Sequence, residues 1–235
     1  MVSLMPTDAA ALPILDDLRP RTVTDQVYDA LYQRVINLTL PPGARLSEAE
    51  VAAQMGVSRQ PVRDAFFRLS QLGFIQIRPQ RATIVTQISA GAIRQAHFIR
   101  LALETACMRE AARILTSQDH DALADLIDRQ EVAIRADDRS SFHELDDQFH
   151  HDICAASGLE FVWTLVKDNK GHMDRARYLS LSYNAHNAWE EHKMILAALR
   201  ERDEEKAVAA IDLHLSRIHG TLDRLRVEQP EMLGL

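Results

Sequence analysis

The stretch SEAEVAAQMGVSRQPVRDAFFRLSQLGF, residues 47–74, decides how the first part of the chain folds. Ser47 and Ser58 each precede a segment with apolar residues at helical spacing, and serine is a favoured N-cap of helices. Gly56 stands between the two segments, where it favours a tight turn. The pattern therefore predicts helix, turn and helix, an arrangement that carries many DNA-binding surfaces.

The second of these predicted helices has two different faces. Its apolar face consists of Val62, Ala65, Phe66 and Leu69. Arg59 and Arg63 are four residues apart and project from the other face, near the helix start. In a helix-turn-helix this start enters the major groove, where arginine makes paired hydrogen bonds to guanine. The candidate DNA contacts are therefore Ser58, Arg59, Gln60 and Arg63, and a solvated surface is the alternative.

The flanking segments complete a winged helix-turn-helix. Upstream, apolar residues at every fourth position predict a helix between Thr22 and Pro41. Downstream, residues 74–77 and 83–86 are β-rich runs around a proline-containing turn, which predicts a hairpin. Two further arginines are candidate contacts to DNA, namely Arg45 and Arg81.

The rest of the chain has a helical pattern throughout. Apolar residues recur with a helical period over 89–115, 119–136, 139–157, 159–182, 187–201 and 203–227. No strand is predicted beyond Ser89. The sequence thus predicts a mainly α protein in three parts. These are a flexible leader at 1–20, a winged helix-turn-helix with a small β hairpin at 21–88, and an all-α antiparallel helical bundle at 89–235.

Charge and histidine are unevenly distributed between these parts. The chain has a formal net charge of −7, yet residues 19–88 contain nine arginines and only five acidic residues. All ten histidines lie at or beyond His97. Such asymmetry indicates separate roles for the two parts of the chain. The first part is suited to DNA, and the second is suited to a site built from histidines.

The composition favours a cytoplasmic protein that does not enter a membrane. No apolar run approaches the roughly 18 residues that a membrane-spanning helix needs. The first 20 residues carry acidic groups in place of the basic start of a signal peptide. Cys107 and Cys154 each lie in a helical pattern, and we interpret both as buried thiols rather than as a disulfide.

Two segments of the predicted bundle carry residues suited to a metal ion. Asp146 and His150 are four residues apart, so their side chains share one face of a helix. His192 and His214 lie at equal distances before and after Asp203, where two predicted helices meet. An antiparallel hairpin would bring these two histidines level. Three histidines and one carboxylate suit zinc, nickel, manganese or iron.

Spacing alone leaves other interpretations open. Asp147 and His151 are also four residues apart and form an alternative pair. The apolar stripe beside Asp146 and His150 favours Asp146 and His150 as the ligands. An inward histidine is also commonly a hydrogen-bonded core residue. A metal-dependent hydrolase could use such a cluster to activate water. The chain, however, has no nucleophile elbow, no HExxH and no glycine-rich phosphate loop, so no enzyme activity is predicted.

The first part of the chain resembles a known family. The segments PGARLSE at 42–48, GVSRQPVRDA at 56–65 and RL at 68–69 occur in the order and spacing of the GntR family's DNA-binding domain. The resemblance covers residues 22–86. It implies a winged helix-turn-helix that binds a short palindromic operator in double-stranded DNA as a homodimer.

The bundle resembles the FCD effector domain of the FadR-type branch of that family. The resemblance covers residues 90–225 and rests on RLALE at 100–104, LDDQFH at 145–150, ASG at 156–158, EH at 191–192 and HL at 214–215. It implies a divalent metal, most often zinc, held by Asp146, His150, His192 and His214. It also implies that Arg100 holds the carboxylate of a small organic acid, with a salt bridge to Glu104 as the alternative.

Together these patterns predict a DNA-binding transcription regulator, a repressor, whose operator affinity is controlled by a small carboxylate bound in the helical bundle. The alternative is a regulator for which the metal itself is the signal. Operator affinity measured with and without metal and with and without small acids separates the two.

Overall fold

The computed structural model describes residues 21–78 and 82–234. The predicted leader at 1–20 and the predicted DNA contact Arg81 lie outside the described residues. The described chain is mainly α-helical and carries a small sheet close to the helix-turn-helix, as the sequence predicts. The domain boundary at residue 88 stays a prediction.

The first unit contains three helices and a three-stranded sheet. Their order is α1 Val23–Ile36, β1 Arg45–Leu46, α2 Glu48–Met55, α3 Arg59–Gln71, β2 Ile75–Gln76 and β3 Thr83–Val85. The strands lie in the order β1-β3-β2 and all pair antiparallel. Strand β1 is absent from the sequence prediction because two residues show no alternation. Its pairing with β3 defines it, and Arg45 lies opposite Ile84.

Local sequence explains the ends of these helices. Thr22 accepts the backbone N–H of Asp25 while the Asp25 carboxylate accepts the N–H of Thr22, which is a capping box. Gly56 ends α2 with a φ of 65°, a conformation that glycine adopts without strain. The helices pack through a shared apolar core whose buried members include Val27, Leu31, Val62, Phe66 and Leu69.

The second unit begins with a short strand, β4 Ile88–Ser89, and continues as six helices. These are α4 Ala90–Ile114, α5 Ser117–Arg135, α6 Arg139–Ala156, α7 Glu160–Asn169, α8 Gly171–Arg200 and α9 Glu204–Glu228. A 3₁₀ turn, Pro230–Met232, leads to β5 Leu233–Gly234, which pairs parallel with β4. Only three residues join α8 to α9, so these two helices are antiparallel neighbours.

Two sequence predictions about this unit are wrong. The helices predicted over 159–182 and 187–201 are in fact α7 and a continuous 30-residue α8, with the break at Lys170. Residues 183–186 contain neither glycine nor proline, and nothing there stops the helix. Strand β5 also lies beyond Ser89, where no strand is predicted. Two residues show no periodicity, and only the distant partner Ile88 makes Leu233 part of a sheet.

The large apolar core of the bundle holds α4, α5, α6, α8 and α9 together. Its fully buried members include Met108, Phe142, Phe149, Ile195 and Ile211. Polar groups are buried beside this core, and most of them converge on one region between α4, α6, α8 and α9. Within the described residues, no helix has the length and apolarity that crossing a bilayer requires.

Candidate metal centre and DNA-facing surface

The predicted DNA contacts lie together on the outside of the first unit. Four are at the start of α3 and one is on β1, and all are exposed: Ser58, Arg59, Gln60, Arg63 and Arg45. Ser58 occupies the N-cap of α3, but its side chain makes no capping hydrogen bond. Arg63 pairs with Glu48 of α2 at 3.3 Å, and the Gln60 amide donates to Asp64 at 2.9 Å.

Arg59 differs from Arg63 in its surroundings. It makes no ion pair or side-chain hydrogen bond with any other described residue, whereas Arg63 is already oriented by a carboxylate. A long, free guanidinium at the start of an exposed helix is available for phosphate or base contact. The apolar face behind it is fully buried, so α3 presents its arginine face outward on a rigid support.

The structure brings the four predicted metal ligands into one group. Asp146 and His150 lie on α6, His192 on α8 and His214 on α9. One ligand atom from each lies within 4.8 Å of one from every other member. All four side chains are buried, with Asp146 and His192 at 0% exposure. The alternative pair does not join them: Asp147 binds Lys170 at 2.8 Å, and His151 lies 2.8 Å from Asp152.

Each of the three imidazoles has a side-chain oxygen close to its Nδ1 atom; for His192 and His214 the contact is a hydrogen bond, and for His150 it is a close contact with a carboxylate. Glu104 Oε2 lies 2.7 Å from Nδ1 of His150, Gln130 Oε1 lies 2.8 Å from Nδ1 of His192, and Glu191 Oε2 lies 3.0 Å from Nδ1 of His214. An acceptor at Nδ1 places the proton of a neutral imidazole there and leaves the lone pair on Nε2. Such outer partners are typical of histidines that bind metals.

The unpartnered atoms of the group fit a cation. The Nε2 atoms of His150 and His214 are 3.2 Å apart, so both can contact one shared cation. Asp146 Oδ1 and His192 Nε2 are buried without a hydrogen-bond partner and lie 3.6 Å apart. A buried polar atom without a partner costs free energy, and a shared cation would remove that cost for all of them.

The pKa shifts favour the protonation states that ligation requires. Burial and then the neighbouring His214 lower the pKa of His192 well below its usual value. Burial also lowers the pKa of His214, although Glu191 acts against it. Burial would raise the pKa of Asp146, but Arg177 and the histidines outweigh it and hold the pKa well below its ordinary value. Neutral imidazoles and a charged carboxylate are the forms that bind metals.

Arg177 on α8 is a member of the site that the sequence did not reveal. Its Nη2 donates to Asp146 Oδ2, while its Nη1 is buried without a hydrogen-bond partner. A cavity of about 50 Å³ adjoins it, and its polar lining includes Arg100, Asp146, Arg177, Ser180, Asn184 and Thr221. The cavity has room for a ligand of a few heavy atoms.

Arg100 is fully buried and is bound to Glu104 through Nε at 2.6 Å and Nη2 at 3.4 Å. This is the salt bridge that the sequence left as the alternative. Its Nη1 meets only the sulfur of Met173, at 3.7 Å, and Arg100 and Met173 both line the same cavity. Arg100 therefore supports the Glu104–His150 contact with one edge and leaves one N–H group for a ligand.

Comparisons with known proteins agree with this architecture. Residues 23–85 match the profile described as bacterial regulatory proteins, gntR family, and residues 95–217 match the FCD domain. The chain is 35% identical over 211 residues to the HTH-type transcriptional repressor RspR of Escherichia coli K12, covering 89% of this chain and 92% of that protein.

Two other curated relatives extend across most of the chain. A Streptomyces ambofaciens protein described as an uncharacterized HTH-type transcriptional regulator in an unstable DNA locus is 37% identical, covering 91% of each chain. A probable D-xylose utilization operon transcriptional repressor of Paenarthrobacter nicotinovorans is 31% identical, covering 83% of this chain and 86% of that protein.

Among solved structures, E. coli McbR/YncC has a TM-score of 0.74 at 23% identity, covering 87% of this chain and 99% of that one. A putative GntR regulator from Rhodococcus sp. RHA1 has a TM-score of 0.70 at 22% identity, covering 85% and 97%. At these identities the two structures support the fold and say nothing of the ligand.

Proposed function

The chain belongs to the GntR family of bacterial transcription regulators and carries an FCD domain, and from that premise we propose that it is a repressor controlled by a small carboxylate bound beside a metal ion. It is a DNA-binding regulator and not an enzyme. The observation that supports the metal is the convergence of three imidazole Nε2 atoms and the Asp146 carboxylate, with two atoms that lack any hydrogen-bond partner.

Asp146, His150, His192 and His214 would hold the metal. Three neutral imidazoles with one carboxylate suit zinc best among common ions, and nickel, manganese and iron accept the same donors. When bound, the metal would supply a fixed positive charge and coordination positions for an oxygen ligand. The outer partners Glu104, Gln130 and Glu191 support retention of the ion, because each fixes one imidazole in the orientation that ligation needs.

The effector would be a small organic acid with few heavy atoms. Arg177 and Arg100 both line the cavity, and Nη1 of Arg100 has no oxygen partner within hydrogen-bond distance. Guanidinium groups bind carboxylates through charge-assisted hydrogen bonds. Ser180, Asn184 and Thr221 would add polar contacts for a hydroxyl group. This chemistry favours a short carboxylate or hydroxy acid over a fatty chain.

In the proposed mechanism two copies of the chain bind a palindromic operator in the cytoplasm. Each copy presents Arg59 and Arg63 to one half-site, and the spacing of the two half-sites must match the spacing of the two α3 helices. The acid would shift the population between states with matched and unmatched spacing. Operator affinity that is identical with and without every short carboxylate tested would overturn this mechanism.

The metal site is tested by metal analysis of the purified protein beside His192→Ala and His214→Ala. We expect about one transition-metal ion per chain in the parent and its loss in both variants, because each removes one of four ligands. His186→Ala is the matched control, since that histidine lies on α8 with its side chain 67% exposed. A parent protein that binds no added zinc would overturn the metal site.

The same protein samples distinguish a carboxylate-controlled repressor from the alternative in which the metal itself is the signal. In that case operator affinity changes when metal is added to metal-free protein and no acid is present. A retained ion that serves the effector leaves operator affinity unchanged until a carboxylate is added.

A further inference from the structure

The segment between the DNA-binding unit and the bundle, residues 86–89, is held by the first turns of α8. Arg175 donates from Nη2 to the carbonyl oxygen of Thr86 at 2.7 Å and from Nη1 to that of Gln87 at 3.4 Å. The backbone N–H of Ser89 donates to Nδ1 of His172 at 3.3 Å. Two α8 side chains thus bind the backbone of three of the four linker residues, Thr86, Gln87 and Ser89.

Arg175 occupies an unusual environment for a cation. Its side chain is 0% exposed, and it forms no ion pair with any described residue. Burial lowers its pKa to about 10, which still leaves it charged at neutral pH. A buried charge without a carboxylate is costly, so the linker carbonyls are its main compensation. The position of the linker is therefore tied energetically to the position of this guanidinium.

The DNA-binding unit also packs directly on the same end of α8. The imidazole of His172 stacks on the ring of Phe74, with centroids 5.0 Å apart and planes at 28°. Gly171 touches the same ring so closely that a β-carbon added there would overlap Phe74, and it would lie 3.1 Å from the Tyr32 hydroxyl. Phe74 belongs to the core of the DNA-binding unit, and Tyr32 is partly buried and packs against that core.

The opposite face of these turns belongs to the candidate metal centre. His172 and Arg175 are three residues apart and share one face, whereas Arg177 is two residues further on and points the other way. Arg177 donates to the ligand residue Asp146. Two turns earlier, Lys170 joins Asp147 of α6 to Asp174 of α8, with Nζ to carboxylate distances of 2.8 and 2.6 Å.

We propose that Arg175 and His172 are the positioning residues through which the candidate metal and effector site sets the orientation of the DNA-binding unit. This rests on the proposed function of that site. Arg177 and the linker contacts lie on one rigid stretch of helix of about two turns, so a change of partner at Asp146 moves both together. When the helix moves, Arg175 carries the linker carbonyls with it through its hydrogen bonds, and His172 carries Phe74 with it through the stacked rings.

The test is a double-mutant cycle read by amide hydrogen exchange at Thr86 and Ser89. Asp146→Asn weakens the ion pair between Arg177 and residue 146 whether or not metal is bound. Arg175→Gln removes the two guanidinium hydrogen bonds to the linker carbonyls. We expect Asp146→Asn to speed exchange at both amides about tenfold in the parent and less than twofold in the Arg175→Gln background. Such non-additivity is the signature of coupling, which two independent structural losses would lack.

Arg202→Gln is the matched control. Arg202 also donates to backbone carbonyls, those of Ala112, Arg113 and Leu115, but at the far end of the bundle. In that background the tenfold effect of Asp146→Asn should persist. If Asp146→Asn does not fold, Arg177→Gln breaks the same contact from the other side and must give the same pattern.

Two outcomes would overturn the proposal: no change at Thr86 and Ser89 with Asp146→Asn, or an equal change with and without Arg175. The metal content of the same samples reports on the proposed function separately. A parent without bound metal removes the metal centre, yet the exchange cycle still decides whether Asp146 and the linker are coupled.

Discussion

The two units of the chain present their functional residues in opposite ways. Arg59 and Arg63 are exposed, and at most one carboxylate orients them. His150 and His192 are buried at 1% and 0% exposure, and a partner fixes each ring. A surface that reads DNA needs reach and charge, whereas a site that holds a small ion needs every atom placed. The DNA-facing arginines are therefore recognised by their sequence motif, and the buried histidines by the side chains that contact their rings.

The largest expected effect is a loss of operator affinity on substitution of the exposed arginines of α3. Replacing both Arg59 and Arg63 with alanine should weaken operator binding by about 4 kcal/mol, roughly a thousandfold, since each paired contact contributes about 1–3 kcal/mol. Metal content should not change. Fluorescence anisotropy with a labelled operator at fixed salt measures the effect.

Arg68→Ala is the matched control for this pair, because Arg68 lies on the same helix but binds Asp25 at 2.8 Å and stacks on Tyr28. We expect that variant to change affinity only a few-fold. A double variant that binds the operator within threefold of the parent would contradict the assignment of α3 as the reading helix.

The next effect tests the buried unit without touching a ligand. Gln130→Leu removes the acceptor from Nδ1 of His192 and should weaken zinc affinity about 10- to 100-fold, the usual cost of losing such an outer partner. Competition with a zinc-binding dye measures it. Gln148→Leu on exposed α6 surface should leave the affinity unchanged. Equal affinities for both variants would mean that the imidazole needs no orienting partner.

The smallest effect concerns the junction of the two units. Burial, with a contribution from Arg175, lowers the pKa of His172 to about 4, against about 6.5 in an unfolded chain. Between those values the unfolded chain binds a proton that the folded one does not. Stability is therefore highest above pH 6.5 and falls as the pH drops toward 4. The contribution of His172 should be roughly 2 kcal/mol at pH 5.

Urea unfolding of the parent and of His172→Asn at pH 7.5 and pH 5 isolates this contribution, since asparagine keeps an acceptor for Ser89 but does not titrate. The variant should lose less stability than the parent between the two pH values. His186→Asn should keep the parent's pH dependence. A parent and a His172 variant with the same dependence would show that His172 protonates freely in the folded protein.

The sequence predicted most of the fold because its signals are local. Thr22 and Gly56 mark helix ends by their own conformational preferences, and the structure uses both. The missed strands β1 and β5 are two residues long and exist only through pairing with distant segments. The break between α7 and α8 lies at Lys170, just before Gly171, and not at residues 183–186, which contain no helix-breaking residue.

The candidate site was predictable where it depends on helical spacing and not where it depends on partners. Asp146 and His150 share a helix face because they are four residues apart. His192 and His214 come level because they are equally far from Asp203 in a helical hairpin. Arg177 could not be found, because nothing in the spacing of the predicted helix over 159–182 distinguishes it, and only the packing of α8 against α6 brings it to Asp146. His172 and Arg175 lie on the same helix but bind the linker.

Gln130 had a signal that could have identified it. Leu123, Ile127 and Gln130 are separated by four and then three residues, so all three lie on the buried face of α5. A polar residue on that face needs a partner inside the bundle. Glu191 stands next to His192 in sequence, but adjacent helix positions face different directions. Only α9 brings it to His214, at 3.0 Å.

The pairing of β4 with β5 has a further consequence. Ile88 lies beside Leu233, and the side chain of Gln87 donates to the carbonyl oxygen of Glu231 at 3.0 Å. The first and last described parts of the effector unit therefore meet at one place, directly behind the DNA-binding unit. Ile88 and Leu233 are also buried in one shared apolar cluster, so residues near 233 help to hold the segment that joins the two units.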